Sequence, residues 1–272
     1  MDDHFDYVYA RVGRAGLGNE LFPVMRALEY GMIHSATVIP PKWGALRIGP
    51  WLRNDRDKRT YWRLFDSPSS SERITRAIAL RRDRSVRTFV GMGSFFEEFE
   101  LSHRWHADRL ARVARRGVLS EPEVGPYISA HVRLGDFARP TADVTAQTSN
   151  NVSTPIEWYE DAIQRIRQKD STLPVLISSD GTDLELRPLL DISGVRRTAA
   201  RNALDEIFIM SRGLGIIGSR STFTAWGAYL GGAPLLVMPG ANAYRPHDRV
   251  WEAEMGDPID AWWTSVARAD SA

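Results

Sequence analysis

The residues best suited to chemistry lie in segment 131–137, which is HVRLGDF and follows the apolar run Tyr127–Ala130. A short apolar run of this kind predicts a buried β-strand. Side chains alternate along a strand, so His131 and Arg133 are expected on the same face. In open α/β sheets, ligands bind beyond the carboxyl ends of the strands, where this segment places an imidazole and a guanidinium suited to phosphate. A surface ion pair between Arg133 and Asp136 is the structural alternative.

Two further predicted strands also end in groups that suit a nucleotide. Segment 178–181 ends the first, and its Asp180 can accept hydrogen bonds from a purine edge or a ribose. Segment 218–222, GSRST, ends the second and leads into a helix. A helix N-terminus presents free amides and a partial positive charge, which the hydroxyls of Ser221 and Thr222 would extend. This pattern predicts an anion site, and ordinary N-capping by these hydroxyls is the alternative.

A glycine-rich loop follows the first predicted strand, residues 5–12, and precedes a helical pattern from Leu21 to Met32. Its glycines, Gly13, Gly16 and Gly18, have the spacing G-x-x-G-x-G, which departs from the dinucleotide-binding G-x-G-x-x-G. The spacing therefore disfavours an NAD-dependent oxidoreductase.

Strands and helices alternate through the second half of the chain, which predicts an α/β fold with a parallel sheet. Segment 117–126 is the best candidate linker because it contains Pro and Gly, and it divides the chain into domains 1–122 and 123–272. Segment 138–154 is too long for a routine connection and predicts an active-site loop. Thr154 is expected to cap the next helix and Pro155 to occupy its first position.

The composition is that of a globular protein with 272 residues, 43% hydrophobic content and a formal net charge of +1. This charge creates no general attraction for nucleic acid. The lack of cysteine excludes disulfides, thiolate nucleophiles and Cys-based zinc sites. Asp55 with Asp57 and His103 with His106 are weak metal signals, so no metal site is predicted. The sequence shows no signal peptide or transmembrane segment, so we expect a cytoplasmic protein; it leaves peripheral membrane contact and the oligomeric state open.

Five segments, taken in order, resemble motifs of the bacterial α-1,2-fucosyltransferases of glycosyltransferase family 11. They also resemble, more distantly, the α-1,6- and protein O-fucosyltransferases. The family motifs are GGLGNQMF, HxRRxDY, PLxYYxxAI, SDD and NSSFSWWGAYL. They are similar here to residues 16–22, 131–137, 155–163, 179–181 and 220–230.

This resemblance implies a GT-B fold, in which two Rossmann-like halves face each other across a cleft. The C-terminal half would bind GDP-fucose and the N-terminal half would lie on the acceptor side. The reaction implied is an inverting transfer of fucose to a glycan or a glycosylated small molecule, without metal or any cofactor beyond the donor substrate.

The resemblance also implies roles for residues at matching positions. Arg133 would bind the β-phosphate and stabilise the negative charge that builds up on the leaving diphosphate. Asp136 is the second expected catalytic residue, with Asp143 as an alternative base. The remaining donor contacts implied are His131 and Asp180 at the guanine or ribose, Ser221 and Thr222 at the diphosphate, and Gly18 and Asn19 facing the pyrophosphate from the opposite side.

Four positions depart from the family motifs. Leu134 replaces the second arginine, Glu20 a glutamine, Arg220 an asparagine and Ala225 a tryptophan. We hypothesise that Arg220 replaces part of the charge lost at Leu134. These departures leave the donor sugar and the linkage open, with another GDP-sugar or a nonenzymatic sugar-nucleotide or glycan-binding protein as alternatives.

Overall fold

The computed structural model describes residues 5–13, 15–43, 61–66, 68–79, 85–120, 125–135, 137–139, 152–240 and 244–270. These residues form two compact units, of which the first ends at Val118 and the second begins at Leu119. This boundary falls within the predicted linker segment 117–126. Each unit has a parallel sheet with helices, so the predicted α/β class is confirmed.

The first unit is built on a three-stranded parallel sheet in the order β2-β1-β3. The strands are β1 (Tyr7–Arg11), β2 (Thr37–Ile39) and β3 (Val86–Val90). The described α-helices of this unit are α1 (Leu17–Ile33), α2 (Ser70–Ala79) and α3 (His103–Val113). Short 3-10 helices cover Tyr61–Arg63 and Phe95–Glu98.

Helix α1 begins at Leu17, earlier than the predicted start at Leu21. Gly16 is the N-cap residue, and the Leu17 amide donates a hydrogen bond of 2.9 Å to the hydroxyl of Tyr61. The contact with Tyr61 is distant in sequence, so the local pattern did not reveal it. The helix therefore includes Gly18 and Asn19 in its first turn.

The second unit has a six-stranded sheet in the order β6-β5-β4-β7-β8-β9, and all its strands are parallel. Its strands are β4 (Ile128–Val132), β5 (Val175–Ser179), β6 (Val195–Arg197), β7 (Gly215–Gly218), β8 (Leu235–Val237) and β9 (Val250–Glu252). The described helices are α4 (Ile156–Lys169), α5 (Asp183–Leu190), α6 (Ala203–Arg212), α7 (Thr222–Gly231) and α8 (Asp260–Asp270).

Every residue of β4, β5 and β7 is buried, as expected for parallel strands covered on both faces. Trp158, Tyr159 and Trp262 fill the core on one face together with aliphatic side chains from the strands. This rigid sheet holds the carboxyl ends of its strands in fixed positions.

Helices α6 and α7 pack very closely, and two glycines of α7 make this possible. A Cβ at Gly227 would lie 2.8 Å from Cβ of Met210, and a Cβ at Gly231 would lie 2.0 Å from the Ser211 carbonyl oxygen. Side chains at these positions would force the helices apart. The packing therefore fixes the N-terminus of α7 above the sheet.

The structure corrects several sequence expectations. Strands β6 and β9 and helix α8 were not predicted. Helix α4 begins at Ile156 with Pro155 at the N-cap, so the predicted cap at Thr154 is wrong by one residue. The Thr154 hydroxyl instead bonds to that of Tyr159.

None of the described helices is long and apolar enough to cross a membrane. Four predicted residues lie outside the described part of the chain, namely Asp55, Asp57, Asp136 and Asp143. Most of the predicted active-site loop, residues 140–151, lies outside it as well.

Candidate functional site

The candidate site lies at the carboxyl ends of β4 and β7 in the second unit. From β4 the chain adds β5 and β6 on one side, and then returns to add β7, β8 and β9 on the other. The strand order therefore reverses between β4 and β7, and ligands of open α/β sheets bind at such a switch point. His131 is the partner of Gly218 in the register. Arg133 and Arg220 each follow two residues later, so they occupy equivalent positions at this edge.

His131 connects the end of β4 to the start of α7. Its side chain is 3% exposed, and its ring stacks on Phe223 with centroids 5.0 Å apart. Its Nδ1 lies 2.6 Å from Oγ1 of Thr224 and 3.0 Å from Oγ of Ser219. Burial, with a smaller contribution from Arg133, lowers the pKa of His131 to about 3. The imidazole is therefore neutral at physiological pH, and its Nδ1 belongs to a hydroxyl network.

This network consists of Ser219, Ser221, Thr224 and His131. The three hydroxyl oxygens lie 3.1 Å from one another. Ser221 is the N-cap residue of α7, because its Oγ accepts a 3.2 Å hydrogen bond from the Thr224 amide. The capping alternative is therefore confirmed for Ser221, while its contact with a donor stays a prediction. Thr222, 8% exposed, is the first residue of the helix.

Gly218 explains why the helix can lie so close to the strand end. A Cβ at this position would lie 2.3 Å from Cγ2 of Thr224. Any larger residue would move Thr224 and with it the hydroxyl network.

Arg133 forms an ion pair with Asp180 at the end of the neighbouring strand β5. Its Nη1 lies 3.0 Å from Oδ2 of Asp180, and the two side chains are 23% and 17% exposed. The other carboxylate oxygen of Asp180 accepts a 2.8 Å hydrogen bond from the Leu134 amide. The Arg133 guanidinium also lies over the ring of Phe137, 5.7 Å from its centroid. Asp180 therefore fixes the direction of Arg133 and of the chain after β4.

The loop after β5 is held against β4 by short polar contacts. Oγ of Ser179 donates to the Val132 carbonyl at 2.6 Å and accepts from the Gly181 amide at 2.9 Å. A Cβ at Gly181 would lie 2.6 Å from Cδ1 of Leu134. Leu134 therefore packs on this loop and on the core, where it supplies no charge.

Sequence reasoning missed two polar residues beside this ion pair. Arg197, at the end of β6, contacts Oδ1 of Asp183 at 2.6 Å and the carbonyl of Ser179 at 3.2 Å, and it also bonds the carbonyl of Gly181. Glu206, partly buried in the first turn of α6, has its pKa raised to about 7 by burial and by the charge of Asp180. Arg197 and Arg133 oppose this shift. An acid in a first helical turn was the available signal for Glu206, whereas strand β6, which positions Arg197, was not predicted.

Tyr159 and Arg220 lie near one another at the same edge. The Tyr159 hydroxyl donates a 2.9 Å hydrogen bond to the His131 carbonyl, and burial raises its pKa. Arg220 is 8% exposed. Its Nε and Nη1 are buried and have no hydrogen-bond partner among the residues that the structure describes.

The predicted residues of the glycine loop belong to the first unit. Gly18 is buried and Asn19 is partly exposed. The amides of Asn19 and Glu20 both donate to the Gly16 carbonyl at 3.1 Å, and the Glu20 carboxylate accepts a 2.6 Å hydrogen bond from the Ala15 amide. These contacts shape the loop, and a contact of Gly18 or Asn19 with a pyrophosphate stays a prediction.

Within the described part of the chain, no group of three or more His, Asp or Glu residues is arranged to hold a metal ion. His106, one of the weak metal signals, is fully buried in the first unit. Its Nε2 lies 3.4 Å from Oε1 of Glu29, and its Nδ1 lies 3.0 Å from the Ser102 carbonyl. His106 is therefore a core residue of the first unit.

Comparison with solved structures supports the fold. The fucosyltransferase NodZ, an α-1,6-fucosyltransferase whose crystals were soaked with GDP-fucose, matches with a TM-score of 0.52 and 14% identity, over 86% of this chain and 95% of its own. NodZ from Bradyrhizobium in another structure matches with a TM-score of 0.47 and 14% identity, over 85% and 95%. Arabidopsis thaliana FUT1 in complex with GDP matches with a TM-score of 0.45 and 14% identity, over 92% and 73%. No curated protein is significantly similar in sequence.

The first of these similarities confirms the predicted fold class, an α/β fold of the GT-B-type fucosyltransferases. Polar and cationic groups converge at the switch point of the second sheet, where ligands of open α/β sheets bind. The sequence profile described as Glycosyl transferase family 11 matches residues 103–247, more than half of the chain. The chain belongs to glycosyltransferase family 11, which confirms the predicted family and the predicted enzyme class.

Proposed function

We propose that this enzyme transfers fucose from GDP-fucose to a hydroxyl group of a glycan or a glycosylated small molecule. One observation carries the proposal: Arg133, the hydroxyl network and the N-terminus of α7 converge at the switch point between β4 and β7. This arrangement suits a diphosphate, since a helix N-terminus and a fixed guanidinium both attract phosphate oxygens. The GDP-fucose bound to NodZ, whose fold this chain shares, supports the choice of donor.

Arg133 is the proposed electrostatic catalyst. In transfer with inversion, the bond between the anomeric carbon and the β-phosphate oxygen breaks while the acceptor oxygen bonds to that carbon. The electron pair of the broken bond stays on GDP, so negative charge builds up beside Arg133 in the transition state. Asp180, 3.0 Å from the guanidinium, is a positioning residue that keeps Arg133 in place before the donor binds.

The proposed donor site extends along the edge of the sheet. The amides at the start of α7, with Ser221 and Thr222, would bind the diphosphate. His131 would contact the guanine or ribose end of the donor. Its ring is neutral because it is buried, and its Nδ1 contacts the hydroxyls of Thr224 and Ser219. Within this proposal, Gly18 and Asn19 would approach the pyrophosphate from the first unit.

We propose Asp136 as the base that accepts the proton of the acceptor hydroxyl. The proton would pass from the acceptor oxygen to this carboxylate as the new glycosidic bond forms. The same proposal includes an α-1,2 linkage. It also includes a mechanism without metal, because arginine and amides would balance the charge on the diphosphate.

The first unit is the proposed acceptor side. It contains a cavity of about 260 Å³ lined by Trp43, Phe65, Asp66, Glu72 and Arg109. Trp43 and Phe65 stack in parallel with centroids 4.1 Å apart. Apolar rings beside carboxylates and a guanidinium suit a sugar, which offers both C–H faces and hydroxyl groups.

A donor screen tests the proposed function directly. The purified protein is incubated with GDP-fucose, GDP-mannose, UDP-sugars or NAD, and mass spectrometry measures donor hydrolysis and transfer to candidate glycans. We expect turnover of GDP-fucose and a higher melting temperature with GDP but not with NAD. Stabilisation by GDP without hydrolysis or transfer would instead identify a nonenzymatic sugar-nucleotide-binding protein.

A further inference from the structure

Arg220 is a buried cation with unsatisfied hydrogen-bond donors in the described part of the chain. The side chain is 8% exposed, and its Nε and Nη1 have no hydrogen-bond partner within the described ranges. An unpaired guanidinium in such a place is costly, because burial removes water from a charge that nothing replaces. Arginine remains protonated even when burial lowers its pKa, as it does here.

Two groups, Glu252 and Tyr159, interact electrostatically with Arg220, but neither forms a hydrogen bond with its Nε or Nη1. Glu252 attracts Arg220 electrostatically, but its Oε1 already bonds Nη2 of Arg245 at 2.8 Å. The Tyr159 hydroxyl is neutral and donates its proton to the His131 carbonyl. Among the residues that the structure describes, Nε and Nη1 of Arg220 therefore lack a hydrogen-bond partner.

The position of Arg220 relates it to Arg133. His131 pairs with Gly218 in the register, and Arg133 and Arg220 each lie two residues further along, just beyond the ends of the neighbouring strands β4 and β7. Arg220 directly precedes Ser221, the N-cap residue of α7. Arg220 therefore lies next to the helix N-terminus in the chain, and both a helix N-terminus and a guanidinium favour an anion.

Leu134 explains why a second cation is needed here. It packs against the Gly181 loop and the core, so position 134 adds no positive charge beside Arg133. Arg133 is already paired with Asp180. A diphosphate at this edge would meet a nearly neutral ion pair unless another cation took part.

We propose that Arg220 binds phosphate oxygens of the donor's diphosphate together with the amides of α7. This inference rests on the proposed function. It adds Arg220 to Arg133 as a second cation that binds the donor's diphosphate. Arg220 thus supplies, directly after β7, the charge that Leu134 does not supply after β4. The ligand also pairs the buried guanidinium, so donor binding and protein stability are linked at this residue.

The test compares Arg220→Met and Arg220→Gln with the wild type. Melting temperature is measured with and without GDP, and calorimetry measures the affinities for GDP and guanosine. Arg167→Gln is the matched control: this partly buried arginine also has an unpaired Nη2, but it bonds backbone carbonyls of Ser193 and Leu173 away from the site.

We expect Arg220→Met to melt above the wild type by about 2–4 °C without ligand, because it removes an unpaired buried charge. Its affinity for GDP should fall about 10- to 100-fold, the loss of one charge-assisted hydrogen-bonded contact. Arg220→Gln should lose GDP affinity similarly. The affinity for guanosine, which has no phosphate, should not change. Arg167→Gln should melt below the wild type and bind GDP normally.

Unchanged GDP affinity in both Arg220 variants would overturn the inference while leaving the proposed function intact. An equal loss of GDP and guanosine affinity would also overturn it, since that pattern reports a damaged pocket. If the wild type itself gains no stability from GDP, the proposed function fails and this inference fails with it.

Discussion

Glu206 provides a sharp test of the electrostatics around Arg133. Its carboxyl group is partly buried near Asp180, and these two causes raise its pKa to about 7, against 4.5 for the free side chain. Each pKa unit corresponds to about 1.4 kcal/mol, so ionising Glu206 in the folded protein costs about 3 kcal/mol more than in the unfolded chain.

The sign of this effect follows from proton linkage. Below pH 4.5 Glu206 is protonated in both states and contributes no pH dependence. Between pH 4.5 and about 7 the unfolded chain loses the proton while the folded protein keeps it, so folding stability falls as pH rises. Replacement by Gln removes the penalty. Glu206→Gln should therefore stabilise the protein by about 1 kcal/mol at pH 5 and about 3 kcal/mol at pH 8. These stabilisation energies are upper limits, because water reaches part of the Glu206 side chain and weakens the electrostatic effect.

Urea unfolding followed by tryptophan fluorescence measures this difference at both pH values. Glu157→Gln, at an exposed position of α4, is the matched control for replacing a helical glutamate with glutamine. An advantage of Glu206→Gln that stays constant between pH 5 and pH 8 would refute the assigned environment of Glu206. A destabilised variant at pH 8 would refute it as well, since it would mean that the ionised carboxylate is favourably paired.

Further predictions concern catalysis and the architecture of the site. Arg133→Ala should lower the transfer rate on the order of 10²- to 10³-fold with an unchanged circular dichroism spectrum, and near-normal turnover would contradict its role. Gly218→Ala should cost about 1–3 kcal/mol in urea unfolding because its Cβ meets Cγ2 of Thr224. Adding Thr224→Ser, which removes that methyl group, should recover part of the loss, and simple additivity of the two changes would argue against the contact. Trp43→Ala should raise KM for the acceptor but leave GDP affinity unchanged, whereas equal effects on both would count against an acceptor cavity. A chelator should leave the transfer rate unchanged, and inhibition reversed by a divalent cation would reject the metal-free mechanism.

Much of the second unit could be predicted from local patterns. Helix α6 has the predicted ends, Ala203 and Arg212, because its apolar periodicity and its cap at Asn202 are local signals. The buried strands β4, β5 and β7 also stand out as short apolar runs. By contrast, β6 and β9 are three-residue strands on the edges of the sheet, and such short segments carry little periodic signal.

The partners of the site residues were harder to predict. Arg133 was expected to pair with Asp136 or with a phosphate, and among the described residues it pairs with Asp180. His131 was expected to face a ligand, and its Nδ1 bonds two hydroxyls at the start of α7. These contacts join residues far apart in the chain, so they depend on strand order and register.

The family and the α/β class could be predicted from the amino-acid order, because motif spacing and apolar runs are local properties of the chain. It also determined which polar residues follow the strands. By contrast, the three-dimensional fold was needed to show that β4 and β7 are neighbours, and therefore that Arg133 and Arg220 share one edge. Burial and pairing depend on long-range packing. This packing surrounds Arg220 with protein and leaves two of its nitrogens unpaired among the described residues. Arg220, which departs from the family motif, is therefore a candidate phosphate ligand.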